Sequence, residues 1–125
     1  MKITTGIDII EVSRIKDAIE EQKDKFLYKI YTENEIKYCS NTGKMEYQHF
    51  AARFAAKEAV FKAISEFIED DEKEYWKKIE VVNDNNGRPN VNLKIKLSKT
   101  INSMDISISH IKELAIANVV VVFED

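Results

Sequence analysis

Glu58 is a carboxylate set among alanines and phenylalanines. It lies in HFAARFAAKEAVFKAI, residues 49–64, a stretch without glycine or proline that reads as a helix with a largely apolar surface. At ~100° per residue, Glu58 shares its face with Ala51, Phe54, Ala55 and Phe61, and Lys62 follows one turn on. Asp8 poses the same problem near the start. In GIDIIEV it interrupts an apolar run, and strand alternation puts it on the face of Ile10 and Val12, with Ile7 and Ile9 opposite. A carboxylate held against apolar surface costs several kcal/mol unless it is paired or bound to metal. Proteins tolerate that cost mainly where the group has a task. Two such carboxylates fit a site that collects negative charge. Their hard oxygens suit Mg²⁺, which takes one or two protein carboxylates plus substrate phosphates. Arg53, Lys57 and Lys62 on the same helix would then neutralise those phosphates. His110, at the end of SISH, adds a donor for a phosphate or for positioning a substrate.

Each residue also has a plainer reading. Glu58 and Lys62 stand four apart, and an exposed pair of that kind stabilises a helix by only ~0.2–0.5 kcal/mol. Asp8 fits an edge strand open to solvent, or a turn cap after Gly6. His110 fits a surface strand end. The residue types alone leave these alternatives open.

The elements that must carry these side chains follow from periodicity and turn chemistry. Residues 3–12 read as a strand, rich in Ile, Val and Thr. Ser13 is the expected N-cap of a charged helix over 14–26, with Ile15, Ala18 and Ile19 as its narrow apolar face. Lys16 stands where a capping box needs Glu. Thr32 followed by Glu35 is a proper capping box, opening a short helix to about Tyr38. CSNTGK is a loop, and the long helix is expected from about Met45 to Phe67. EDDEKEY reads as an acidic surface segment. KIEVVND and VNLKI flank NNGRP as a hairpin, with Pro89 at the start of its second strand. LSKTINSM is expected as a short helix. DISISH and LAIANVVVVF are expected as two strands joined by IKE. Hairpins mixed with helices predict an α+β fold.

The totals exclude several classes. The chain has 125 residues, a length suited to one domain over 1–125, and 44% hydrophobic residues provide a real core. Charged residues make up 33%, yet the net charge is −3, which argues against a general nucleic-acid binder. One cysteine, Cys39, cannot form an internal disulfide, so a reducing, cytoplasmic setting is expected. Cys39 is read as an incidental loop thiol. MKITTGIDIIEV is too short and too interrupted by Asp8 for a signal peptide. No apolar run approaches the ~18 residues of a membrane span. Three glycines, Gly6, Gly43 and Gly87, cannot build a P-loop or a dinucleotide fingerprint. No Cys/His cluster has zinc spacing. Tyr75 and Trp76 read as packing or subunit-contact residues, and His49 as structural.

Taken in order, GIDIIEVSRI, FAARFAAKEAVFKAI, NGRP and SISH…ELAIANVVV resemble the holo-acyl-carrier-protein synthases, the short class of 4′-phosphopantetheinyl transferases. The resemblance covers nearly the whole chain. It implies the fold of those transferases, an antiparallel sheet packed on one long helix plus shorter helices. It implies transfer of the 4′-phosphopantetheine arm from coenzyme A to a serine hydroxyl of apo acyl carrier protein, releasing adenosine 3′,5′-bisphosphate, as in fatty acid biosynthesis. It also implies that Asp8 and Glu58 hold Mg²⁺ and that Lys62 lies near the phosphates. Arg53 and His110 would bind the nucleotide end, and Lys44 the 3′-phosphate. The resemblance further implies that Arg14 meets the acidic carrier protein, and that a homotrimer forms sites between neighbouring subunits. The serine's base would be a water positioned by Asp8 or Glu58, or Glu58 itself.

Two features depart from the family pattern. The long helix runs into KAISEFIEDDEKEYW with no glycine-containing turn, and Ser65 restricts the close backbone approach that glycine permits. The first helix carries Arg14, Lys16, Lys23 and Lys25 against Asp17, Glu20, Glu21 and Asp24, so its expected basic patch is diluted. Without the resemblance, the charged pair would favour a non-enzymatic oligomeric interaction module. Another Mg²⁺-dependent phosphate enzyme could use the same carboxylates, and it would turn over without a carrier protein.

Overall fold

The computed structural model describes residues 1–69 and 73–125. The strand β1, Lys2–Glu11, runs directly into helix α1, Val12–Gln22, followed by α2, Asp24–Ile30, and α3, Glu33–Ser40. The long helix α4, Glu46–Ile64, comes next. A hairpin of β2, Ile79–Asn83, and β3, Pro89–Leu93, precedes β4, Ile101–His110, and β5, Leu114–Phe123. The antiparallel order β1-β5-β4 forms the main sheet, and β2-β3 a separate pair. The fold is the expected α+β arrangement of an antiparallel sheet on one long helix. The middle of the acidic run, 70–72, lies outside the described residues.

Apolar residues surround α4 on every side, so it is a buried helix. Ala55, Ala59, Val60, Ala63 and Ile64 pack against Val119, Val121 and Phe123 of β5 and against Ile79 and Val81 of β2. Phe50, Ala51 and Ala52 pack on the other side with Val12, Ile15, Ile30 and Tyr31. Each fully buried Val, Ile or Phe stabilises the fold by about 1.5–3 kcal/mol. The small residues of α4 let the sheet approach closely. A Cβ built on Gly6 would lie 1.9 Å from the Ala59 carbonyl oxygen.

Four local expectations are corrected. Ser13 caps nothing: Glu11 holds the N-cap position, and the Val12 N–H donates to the Glu113 carbonyl at 2.9 Å. The expected helix over 14–26 breaks at Lys23, which takes φ +51, its N–H closing on the Ile19 carbonyl at 2.7 Å. No glycine or proline marks that break. LSKTINSM is not a helix, because from Ile101 onward it is strand β4, paired with β5. A register shift between Ile101 and Ser103 interrupts the alternation that would have revealed it. Cys39 belongs to α3, not a loop, and is fully buried. Burial pushes its thiol up to about 12, which suits an inert thiol. The long helix ends at Ile64 and continues as a 3-10 turn over Ser65–Phe67.

Among the described residues, no helix is long and apolar enough to cross a membrane.

Candidate active site

Pairing with β5 fixes the faces of β1. Gly6, Asp8 and Ile10 lie on its sheltered side, while Ile3, Ile7 and Ile9 are more than half exposed on the other. β1 is an edge strand of the main sheet, yet Asp8 faces α4 and its side chain is only 17% exposed, so it does not open fully to solvent. Glu58 comes from α4. The two carboxylates line one cavity of about 420 Å³, together with Arg14, Ile15, Phe26 and Phe54. Two elements 50 residues apart in sequence thus bring their embedded acids to one place.

Each acid has its own donor. The Lys62 ammonium lies 3.1 Å from Asp8 Oδ1 and donates to the Ile7 carbonyl at 2.9 Å. The Tyr75 hydroxyl donates to Glu58 Oε1. Lys62 therefore serves the strand carboxylate, which corrects the plain reading of a Glu58–Lys62 helix pair. Lys62 is half exposed, so this pair adds little stability. Burial, then the bond to Glu58, pushes the Tyr75 phenol well above its usual range, which keeps it a donor.

This donor set can be tested against a metal. Among the described residues, no group of three or more His, Cys, Asp or Glu side chains could hold an ion. Two carboxylates on an open cavity do not make a closed cage for Zn²⁺ or Ca²⁺. They do fit Mg²⁺, which completes its shell with phosphate oxygens and water.

The residues expected at the nucleotide end fall elsewhere. Lys44 is exposed in the 3-10 turn Gly43–Met45 and lines a cavity of about 600 Å³ with Lys16, Gln48 and Lys112. His110 ends β4, with its Nδ1 2.9 Å from Gln48 Oε1. Gln48 thus links His110 to the cavity of Lys44. The His49 ring meets His110 edge-on at 5.1 Å. Burial, His110 and Arg53 lower the His49 pKa. Arg53 is only 5% exposed and lines neither cavity. Its guanidinium lies 4.1 Å from the Tyr38 ring centroid, and Nη2 donates to Asn83 Oδ1 at 3.5 Å. Among the described residues, its buried Nε has no hydrogen-bond partner.

Lys57 corrects the expectation that it meets a phosphate. It is fully buried, with Nζ 2.7 Å from Glu35 Oε1 and bonds to the Trp76 and Ile79 carbonyls at 2.8 and 2.6 Å. Those contacts use all three ammonium protons. Burial pulls its pKa below the usual lysine range, against the opposing pull of Glu35. Glu35 is the expected capping-box residue, but its other oxygen also accepts from the Val81 N–H at 2.8 Å. Tyr75 is the site residue that sequence reading missed, because Tyr75-Trp76 looks like ordinary packing.

Residues 4–119 match the family described as the 4′-phosphopantetheinyl transferase superfamily. A holo-[acyl-carrier-protein] synthase of Ruminiclostridium cellulolyticum is 41% identical, the alignment covering 100% of this chain and 96% of that protein. One from Clostridium tetani is 42% identical over 94% and 93% of the two. The crystal structure of the Bacillus anthracis holo-(acyl-carrier-protein) synthase in complex with CoA (3′,5′-ADP) is 40% identical, with a TM-score of 0.70 over 94% of each chain. A Chronobacterium ammoniagenes ACPS–CoA complex shares the fold at a TM-score of 0.85 over 100% of both chains, with 22% identity.

Proposed function

The chain belongs to the holo-acyl-carrier-protein synthases of the 4′-phosphopantetheinyl transferase superfamily, and from that premise we propose that it transfers 4′-phosphopantetheine from coenzyme A to a serine hydroxyl of apo acyl carrier protein. The observation that carries this reading is the meeting of Asp8 and Glu58 on one cavity, with Lys62 paired to Asp8. The reaction is Mg²⁺-dependent, with Asp8 and Glu58 as the protein ligands. Bound there, Mg²⁺ would polarise the transferred phosphate and offset the charge on the leaving oxygen.

The chain's own residues supply position and charge, which provide most of the catalysis in phosphoryl transfer. The serine oxygen forms a bond to the phosphorus that carries the pantetheine arm. The pyrophosphate P–O bond breaks, and adenosine 3′,5′-bisphosphate departs. Glu58, directly or through a water that it or Asp8 positions, takes the serine proton. Lys62 turns from Asp8 to the phosphates, a short step for a half-exposed side chain. Lys44 meets the 3′-phosphate, and His110, steadied by Gln48, meets the nucleotide end. Arg53 is buried, so its part is to support the Tyr38 and His49 surroundings of that end. Arg14 is exposed at the rim of the carboxylate cavity and faces the acidic carrier protein. The chain acts as one domain, in the cytoplasm, as a homotrimer with sites between subunits. The exposed Ile3, Ile7, Ile9, Ile116 and Val120 on the outer face of the main sheet favour burial against another copy.

Intact-protein mass spectrometry of an apo acyl carrier protein, incubated with this protein, coenzyme A and Mg²⁺, tests the reading. A mass gain of one phosphopantetheine is expected with Mg²⁺ and not with chelator. Asp8→Asn and Glu58→Gln, made separately, should each lower turnover and raise the Mg²⁺ requirement by at least about 10-fold. A variant with wild-type turnover and Mg²⁺ dependence removes that residue from the ligand set. Arg14→Glu should slow modification and weaken its dependence on ionic strength. An unchanged rate across a salt series removes Arg14 from the docking surface.

A further inference from the structure

Glu58 lies on α4 between two aromatic residues, Phe54 one turn before it and Phe61 nearly one turn after. Phe61 stacks on Tyr75, with ring centroids 3.9 Å apart and planes at 18°. Tyr75 stacks on Trp76 at 4.6 Å, and Trp76 stacks on Phe54 at 4.9 Å. The rings form a continuous stack that begins and ends on α4 on either side of Glu58. Trp76 is anchored further, because its carbonyl accepts from the buried Lys57 ammonium. A tyrosine held on both faces has little freedom to follow a partner. The Tyr75 hydroxyl, donating to Glu58 Oε1, therefore fixes where that carboxylate sits.

We propose that Tyr75 is a positioning residue for Glu58: its hydroxyl occupies Oε1 and leaves Oε2 for the cation. This rests on the reading of Glu58 as a cation ligand. Donors that hold the ligating group are a general part of metal sites, and their loss typically costs about 10–100-fold in metal affinity. Among the described residues, the donor to Asp8 is Lys62, whose side chain is half exposed. Glu58 would then be the pre-set ligand and Asp8 the adjustable one.

Tyr75→Phe keeps the ring and its stacking and removes only the hydroxyl. The test titrates Mn²⁺ into wild-type, Tyr75→Phe and Glu58→Gln proteins with coenzyme A present, and reads free Mn²⁺ by electron paramagnetic resonance. Tyr75→Phe is expected to bind Mn²⁺ about 10-fold more weakly with an unchanged melting temperature. In turnover, its KM for Mg²⁺ should rise by a similar factor. Wild-type Mn²⁺ affinity in Tyr75→Phe, with weakened binding in Glu58→Gln, overturns the role of Tyr75 and leaves Glu58 a ligand. Tighter binding in Tyr75→Phe also overturns it, because the phenol would then compete with the ion. Mn²⁺ affinity that Glu58→Gln leaves unchanged overturns the ligand reading itself, and the proposal with it.

Discussion

Lys57→Met is expected to cost the fold about 3–5 kcal/mol, the usual penalty for breaking a buried ion pair by removing one partner. That is a large fraction of the roughly 5–15 kcal/mol that holds a domain of this kind together. Lys57 and Glu35 are both fully buried, with charged atoms 2.7 Å apart. Removing the ammonium leaves the Glu35 carboxylate uncompensated and deprives the Trp76 and Ile79 carbonyls of their donor. The loss spreads because this pair joins several elements. Glu35 opens α3 through its capping box with Thr32 and also accepts from Val81 on β2. Lys57 ties α4 to the turn that carries Trp76. Denaturant unfolding measures the effect as a fall in midpoint at unchanged slope. The double variant Lys57→Met, Glu35→Gln removes both charges and should recover part of the loss, which a simple packing defect would not. A single variant that loses less than about 1 kcal/mol would mean the pair contributes no more than an exposed one.

Gly6→Ala is the second large effect. The added methyl would stand 1.9 Å from the Ala59 carbonyl oxygen, 2.8 Å from its carbon and 3.1 Å from the Ala63 nitrogen. All three are main-chain atoms of α4, so no rotamer change makes room, and β1 must move away from the helix. Overpacking commonly costs about 1–3 kcal/mol, and a methyl driven into main-chain atoms belongs at or above the top of that range. Asp8 lies two residues beyond Gly6, and Glu58 is next to Ala59. The same displacement therefore separates the two carboxylates, and phosphopantetheine transfer should fall more steeply than stability alone predicts. Thermal melting and transfer assays on Gly6→Ala measure both effects. Ala59→Gly should not rescue the variant, because the obstructing atoms are main chain. Rescue by Ala59→Gly would show the contact to be a side-chain one.

Much of the fold was legible because local signals and tertiary demands agreed. The capping box at Thr32 and Glu35 is present as expected. So is the hairpin, where Gly87 takes φ +79 and the Asp84 carboxylate accepts from the Asn86 and Arg88 N–H groups. The apolar runs of β1 and β5 are strands at the expected places. The misreadings fall where a tertiary partner replaced a local signal. The Glu113 carbonyl serves the start of α1 in place of Ser13, and β5 draws Ile101–Met104 into a strand.

The site divides in the same way. Sequence by itself determined that Asp8 and Glu58 are acids in apolar elements, since periodicity alone assigns their faces. It also carried the family, through short motifs in order along the whole chain. Tertiary structure alone decided which cation meets which acid. Arg53, Lys57 and Lys62 stand on one helix and read alike as phosphate partners. Packing buries Arg53 beneath Tyr38, seals Lys57 against Glu35 and leaves Lys62 half exposed beside Asp8. The physical reason is that a charge's partner is set by distance across elements, and a one-dimensional pattern holds no such distance. Tyr75 follows the same logic, because its bond to Glu58 exists only after the chain beyond α4 folds back and stacks its rings on that helix.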